Sequence, residues 1–81
     1  MTYHEVADAA AHTILATLQA GQAKYPHDPR KTRRDTEDVD HAIVHLMAYC
    51  EGNNDEPHLS HALTRLAFIL ARKPKLKDQN Q

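Results

Sequence analysis

Four of the seven histidines, His41, His45, His58 and His61, crowd into one stretch of chain that also holds Asp38, Asp40, Glu51, Asp55 and Glu56. Neutral imidazoles and ionised carboxylates are the ligands of divalent first-row cations. A His/Asp/Glu set without thiolates suits Mn²⁺, Fe²⁺, Co²⁺, Ni²⁺, Zn²⁺ or a partly hydrated Mg²⁺. His58 and His61, at i and i+3, share one margin of a helix, and His45 with the acids Glu51 and Asp55 could complete a ligand shell if their helices fold together. The same spacing also fits histidines at the edge of a core, each satisfied by a neighbour or by water. Residue types and spacing leave both readings open.

The elements that must position these groups are helices. From about Thr2 to Ala20 the apolar residues Val6, Ala10, Ile14 and Leu18 recur at helical spacing, and Gly21 is expected to end that helix. The stretch 25–34 holds Pro26, Pro29 and four basic residues without apolar period, the pattern of a loop. Asp35 or Thr36 is expected to cap a second helix with Glu37 and Asp38 in its first turn. Its core stripe would be Val39, Ala42, Ile43, Leu46, Met47 and Cys50, and Gly52, Asn53 and Asn54 would stop it. A third helix is expected from about Pro57, capped by Asp55 or Glu56, burying Leu59, Ala62, Leu63, Leu66, Ile69 and Leu70 before Pro74. The short link makes these two helices an expected antiparallel hairpin. The fold class expected is therefore all-α, a three-helix bundle over residues 1–72 followed by a polar tail at 73–81.

At about 100° per residue, Asp38, His45 and Tyr49 share one flank of the second helix, and His58, His61 and Arg65 line a margin of the third. Antiparallel packing would gather Glu51, Asp55, His58 and His61 near the turn, with His45 about one and a half turns below. With 81 residues and four aromatic side chains, Tyr3, Tyr25, Tyr49 and Phe68, the core is thin, so a homo-oligomer is expected. Phe68, off the main stripe, is expected at a subunit contact. Cys50 and Met47 read as core residues, and His4, His12 and His27 as surface ones.

A formal net charge of −1 lacks the basic footprint of a duplex nucleic-acid binder. One cysteine excludes an intrachain disulfide framework and fits a reducing compartment. No apolar run approaches the roughly 20 residues that cross a bilayer, and Glu5 and Asp8 are unlike a signal peptide. No membrane partner and a cytoplasmic location are therefore expected. Gly21-Gln22-Ala23-Lys24-Tyr25 and the following basic loop with Arg30 offer cations and a stacking ring that suit a nucleotide's phosphates and base. An ordinary solvated loop is the better reading of those residues alone. Arg65 has two roles open to it, pairing with an acid or holding a phosphate.

The run from Gly21 to Leu70 resembles the short phage and prophage domain called dATP/dGTP diphosphohydrolase. The resemblance rests on Gly21-Gln22-Ala23-Lys24-Tyr25, His45-Leu46 with Glu51-Gly52, Asp55, and His58-Leu59-Ser60-His61-Ala62, and spans about two-thirds of the chain. It implies metal-dependent cleavage of a purine deoxynucleotide's phosphates, in a host cytoplasm if the chain is phage-encoded. It further implies that His45, Glu51, Asp55, His58 and His61 are metal ligands or acid–base groups, with Glu51 or Asp55 orienting a metal-bound water. Lys24 and Tyr25 would face the nucleotide, and Arg30 and Arg65 would add cations for its phosphates. The chain departs from the pattern in having Asn53 where an acid is expected, a shorter turn before the histidine pair, and His27-Asp28-Pro29-Arg30 in place of an aromatic-basic segment. Those departures keep open a non-catalytic phage protein that sequesters a signalling nucleotide or engages a host partner on the same scaffold. A purely structural helical domain with boundary histidines is the third reading.

Overall fold

The computed structural model describes residues 1–24 and 32–73, with only the backbone given for residues 23 and 24. Among the described residues the chain is all-α, with α1 at Tyr3–Lys24, α2 at Asp35–Cys50 and α3 at His58–Arg72, and no strand. No helix among them is long and apolar enough to cross a membrane. The expected tail falls outside the described residues apart from Lys73.

Each helix starts and stops for a local reason. Thr2 and Glu5 form a reciprocal cap: the Glu5 backbone N–H donates to Thr2 Oγ1 at 3.1 Å and the Thr2 N–H donates to Glu5 Oε1 at 2.6 Å. Gly21 does not end α1, contrary to expectation. It has no positive φ, and a lone glycine costs a helix only about 1 kcal/mol, too little to stop one with good helix formers on both sides. At α2 the residue preceding the first turn is Arg34, not Asp35 or Thr36. Its backbone N–H donates to Glu37 Oε1 at 3.3 Å, and a guanidinium has no acceptor to return the bond. Asp35, Glu37 and Asp38 instead occupy the first turn, where their charge opposes the helix dipole.

The stop after α2 is where sequence and structure agree most closely. Gly52 takes φ +79°, its N–H donates to the Tyr49 carbonyl at 3.0 Å, and the Asn53 N–H donates to the Ala48 carbonyl at 3.0 Å. Two reciprocal bonds around a left-handed glycine make a Schellman motif, which closes the helix and turns the chain toward α3. Asn53 Oδ1 then accepts from the Asp55 N–H at 3.0 Å, holding the turn that precedes Pro57 and α3.

Packing is concentrated between α2 and α3, and α1 lies chiefly against α3. The only apolar side chains sealed from solvent among the described residues are Ala42 and Ala62, beside the polar Asp38, His58 and Thr64. The expected core stripes are therefore half open. Val39, Ile43, Leu46, Met47, Leu59, Leu66 and Leu70 are exposed, as is Cys50, because α1 covers α3 from one side and nothing described covers the other.

Candidate functional site

The Schellman turn and the first turn of α3 bring the histidines together. His58, buried at the start of α3, sits with Nε2 2.7 Å from Asp55 Oδ1. A carboxylate only accepts, so Nε2 carries the ring's proton and leaves the lone pair on Nδ1. That Nδ1 lies 2.9 Å from Nδ1 of His45 on α2. One turn further along α3, His61 Nδ1 donates to Glu56 Oε1 at 2.8 Å, and its ring stands edge-on to His45 with centroids 5.0 Å apart. Two overlapping sets of donors result, His45, Glu56 and His61, and Asp55, Glu56 and His58, with ligand atoms in each set within 4.8 Å of one another.

The donor chemistry fits a divalent cation. Two nitrogens on one first-row ion, each at about 2.1 Å, stand about 3.0 Å apart at adjacent octahedral corners and about 3.4 Å apart in a tetrahedron. The facing Nδ1 atoms of His45 and His58 are already close to the shorter span. A ligating imidazole usually donates its other N–H to a carboxylate, and Asp55 does this for His58. His45 must also be neutral to bind metal. Burial lowers its pKa, followed by the His61 ring; Glu56 opposes them, and His58 and Arg65 add to the lowering. Without a cation the same pair is a hydrogen bond, His45 Nδ1–H to His58 Nδ1.

Of the expected ligands, the structure gathers His45, His58, His61 and Asp55. Glu51 is exposed at the C-cap of α2 and belongs to neither donor set. Its place is taken by Glu56, which spacing alone marked only as a cap. Glu56 lies in the turn before Pro57, the residue that precedes α3, and its carboxylate reaches His61 in the first turn of the helix.

Arg65 points the other way, donating through Nη1 to Asp38 Oδ1 at 2.9 Å. Asp38 is fully buried at the centre of a second polar cluster that sequence reading did not single out. Arg72 Nη2 donates to its Oδ2 at 2.7 Å and to Asp35 Oδ1 at 2.9 Å. Arg33 Nε lies 2.9 Å from Asp38 Oδ1, but its N–H points off the oxygen, so this is an ion pair without a hydrogen bond. The Arg33 guanidinium also lies over the Phe68 ring, 5.2 Å from its centroid, giving Phe68 a cation–π partner within the chain. Burial alone would raise the Asp38 pKa, but hydrogen bonds from Arg65 and Arg72 and the nearby charges of Arg33 and Arg72 outweigh it, and the net shift is downward. The signal available in sequence was Asp38 seven residues before His45 on the same flank. Arg65 and Arg72 are distant in sequence, and Arg33, five residues before Asp38, lies outside the helix, so none gives a spacing that marks its target.

Of the residues expected to face a nucleotide, Tyr25 and Arg30 lie outside the described residues, as does the Lys24 side chain. Comparison with known proteins finds no matching family model, no matching curated protein and no matching solved structure.

Proposed function

We propose that this chain is a divalent-metal-dependent phosphohydrolase of purine deoxynucleotides. The observation that carries the reading is the pair of donor sets, His45–Glu56–His61 and Asp55–Glu56–His58, drawn from α2, the turn and α3 and joined by the His45–His58 contact; the resemblance of residues 21–70 supplies the substrate class. His45, His58 and His61 would hold the metal, with Asp55 fixing the tautomer of His58 and Glu56 that of His61. Bound there, a divalent ion would withdraw charge from a phosphate and lower the pKa of water toward neutrality. Arg65 stands between this cluster and Asp38, able to lend a guanidinium to a phosphate from its exposed edge. Lys24, Tyr25 and Arg30 are the proposed nucleotide contacts. The scaffold reads as an antiparallel hairpin, since Arg72 at the end of α3 meets Asp35 at the start of α2 while His58 meets His45.

A second reading, nucleotide capture without turnover, is favoured by one feature. Both carboxylates of the cluster are engaged by histidines, and Glu51 stands apart, so among the described residues of the cluster no acid is left over to take a proton from water. One experiment tests both. The full chain is incubated with dATP or dGTP and Mn²⁺ or Mg²⁺, and phosphate, pyrophosphate and bound nucleotide are measured. Release that a chelator abolishes and His58→Ala removes is expected. Binding without release transfers the conclusion to capture, and neither binding nor release overturns both.

A further inference from the structure

Among the described residues the hairpin leaves one side uncovered, and that side has a pattern. Around Ala42 on α2, apolar residues stand at −3, +1, +4 and +8: Val39, Ile43, Leu46 and Cys50. Around Ala62 on α3 the same offsets hold Leu59, Leu63, Leu66 and Leu70. Ala42 and Ala62 are the sealed apolar positions of the two helices, 2% and 1% exposed, and mark the line along which α2 and α3 meet. At about 100° per residue each stripe is centred about 70° to one side of its alanine. On helices running in opposite directions, equal offsets fall on the same side of the pair. His61, Arg65, Phe68 and Arg72, at −1, +3, +6 and +10 from Ala62, fall about 60–120° to its other side at about 100° per residue, so the leucine stripe and the polar clusters occupy different sides of the hairpin.

We infer that this stripe is the seat of a second copy of the chain, two hairpins closing into a four-helix core about a two-fold axis. Three observations single out a copy over another occupant. Leu70, Leu59 and Ile43 are 69%, 49% and 49% exposed, and with their neighbours leave roughly 600 Å² of apolar surface open, at the upper end for a monomer and close to the ~800 Å² per partner of a standard interface. The 4-3-4 spacing of each stripe is the spacing that interlocks with another stripe of the same period. The α2 and α3 patterns also match each other position by position, so the face is apolar along both helices and can meet its own copy across a two-fold axis, each contact of i with j being repeated as j with i. The subunit contact thus lies on the leucine side and not at Phe68, which Arg33 covers within the chain. This inference is independent of the metal reading.

The mass of the full chain is measured by light scattering over a dilution series, with its thermal midpoint at each concentration. A dimer, or an even multiple of it, whose midpoint falls on dilution is expected. Ile43→Glu with Leu66→Glu should give a monomer, and the milder Leu66→Ala should weaken association about tenfold with helix content retained. Val6→Glu, on an exposed position of α1, should leave the mass unchanged. A wild-type monomer with a concentration-independent midpoint overturns the inference, whether the face is then covered by the chain's own residues or by a foreign protein. So does an oligomer that survives the double charge substitution in folded form, or one that Val6→Glu alone dissolves.

Discussion

The two ends of the α2–α3 pair are both polar and both partly buried, yet they are built on opposite principles. At the start of α2 a single sealed carboxylate, Asp38, is ringed by Arg33, Arg65 and Arg72, full charges that cannot neutralise at ordinary pH. At the turn, His45, His58 and His61 are rings able to stay neutral, set against the exposed carboxylates Asp55 and Glu56. The first arrangement fixes how the helices lie. The second leaves lone pairs and lability where a cation can use them. The comparison teaches that buried polarity in this chain divides into a structural end and an adaptable one, and substitutions should separate the two.

The largest effect is expected at the structural end. Asp38→Ala removes the carboxylate that Arg33, Arg65 and Arg72 share, leaving Arg72 its bond to Asp35, and removing one partner of a buried pair costs about 3–5 kcal/mol. In a domain of this size, where total stability is on the order of 5 kcal/mol, that loss should take more than half of the stability, read as a collapse of the denaturant midpoint followed by circular dichroism. The pH dependence has the same origin. The folded pKa of Asp38 is lowered, so its contribution is complete above the unfolded value of about 3.8 and is lost as pH falls through the folded one. Wild-type denaturant midpoints should therefore drop steeply below about pH 4. If Asp38→Ala stays folded with a shift under about 1 kcal/mol, the arginine end is not what holds the helices.

The next effect sharpens the adaptable end. His61→Ala should leave thermal stability within about 1 kcal/mol, since the ring is partly exposed and hydrogen-bonded to an exposed acid. It should, however, abolish metal binding measured by calorimetry. In the wild type, a cation at a hundred times its dissociation constant should stabilise the fold by about 2.7 kcal/mol, read as a rise in the thermal midpoint that His58→Ala and His61→Ala erase. Equal midpoints with and without Mn²⁺, Zn²⁺ or Mg²⁺ would mean that the three rings are only a hydrogen-bonded edge of the core.

How much of this was legible in the chain follows the range of each interaction. Helix existence rests on local periodicity and was readable, and so was the stop at Gly52, because one residue type meets the backbone requirement there. The gathering of His45, His58 and His61 was readable because both helices are amphipathic and the link between them is short. What failed was non-local or marginal. Glu56, not Glu51, joins the cluster because Glu51 ends α2 as its exposed C-cap while Glu56 sits in the turn beside His61. Gly21 has the residue type of a helix terminator, but nothing around it demands a left-handed residue. Periodicity reports that a face is apolar without reporting what covers it; Leu70 and Met47 lie on such faces and are open. Asp38 was invisible as a hub because its arginines come from residues 33, 65 and 72, and no spacing rule links them.

The smallest effect tests whether the two ends are coupled through the turn. Gly52 holds φ +79° with open space where a Cβ would stand, so Gly52→Ala meets no clash and costs only the left-handed backbone penalty, about 1 kcal/mol. That is too little to unfold a chain still clamped at Asp38. Relaxing the Schellman turn would, however, shift Asp55 and Glu56 relative to the α2 histidine, and a ligand shell tolerates displacements of only about 0.5 Å. The variant should therefore bind a divalent ion at least about tenfold more weakly while its denaturant midpoint moves little, a loss of affinity larger than its loss of stability. Metal affinity unchanged in Gly52→Ala would show that the turn does not set the geometry of the cluster, and that His45 and His58 are held by helix packing alone.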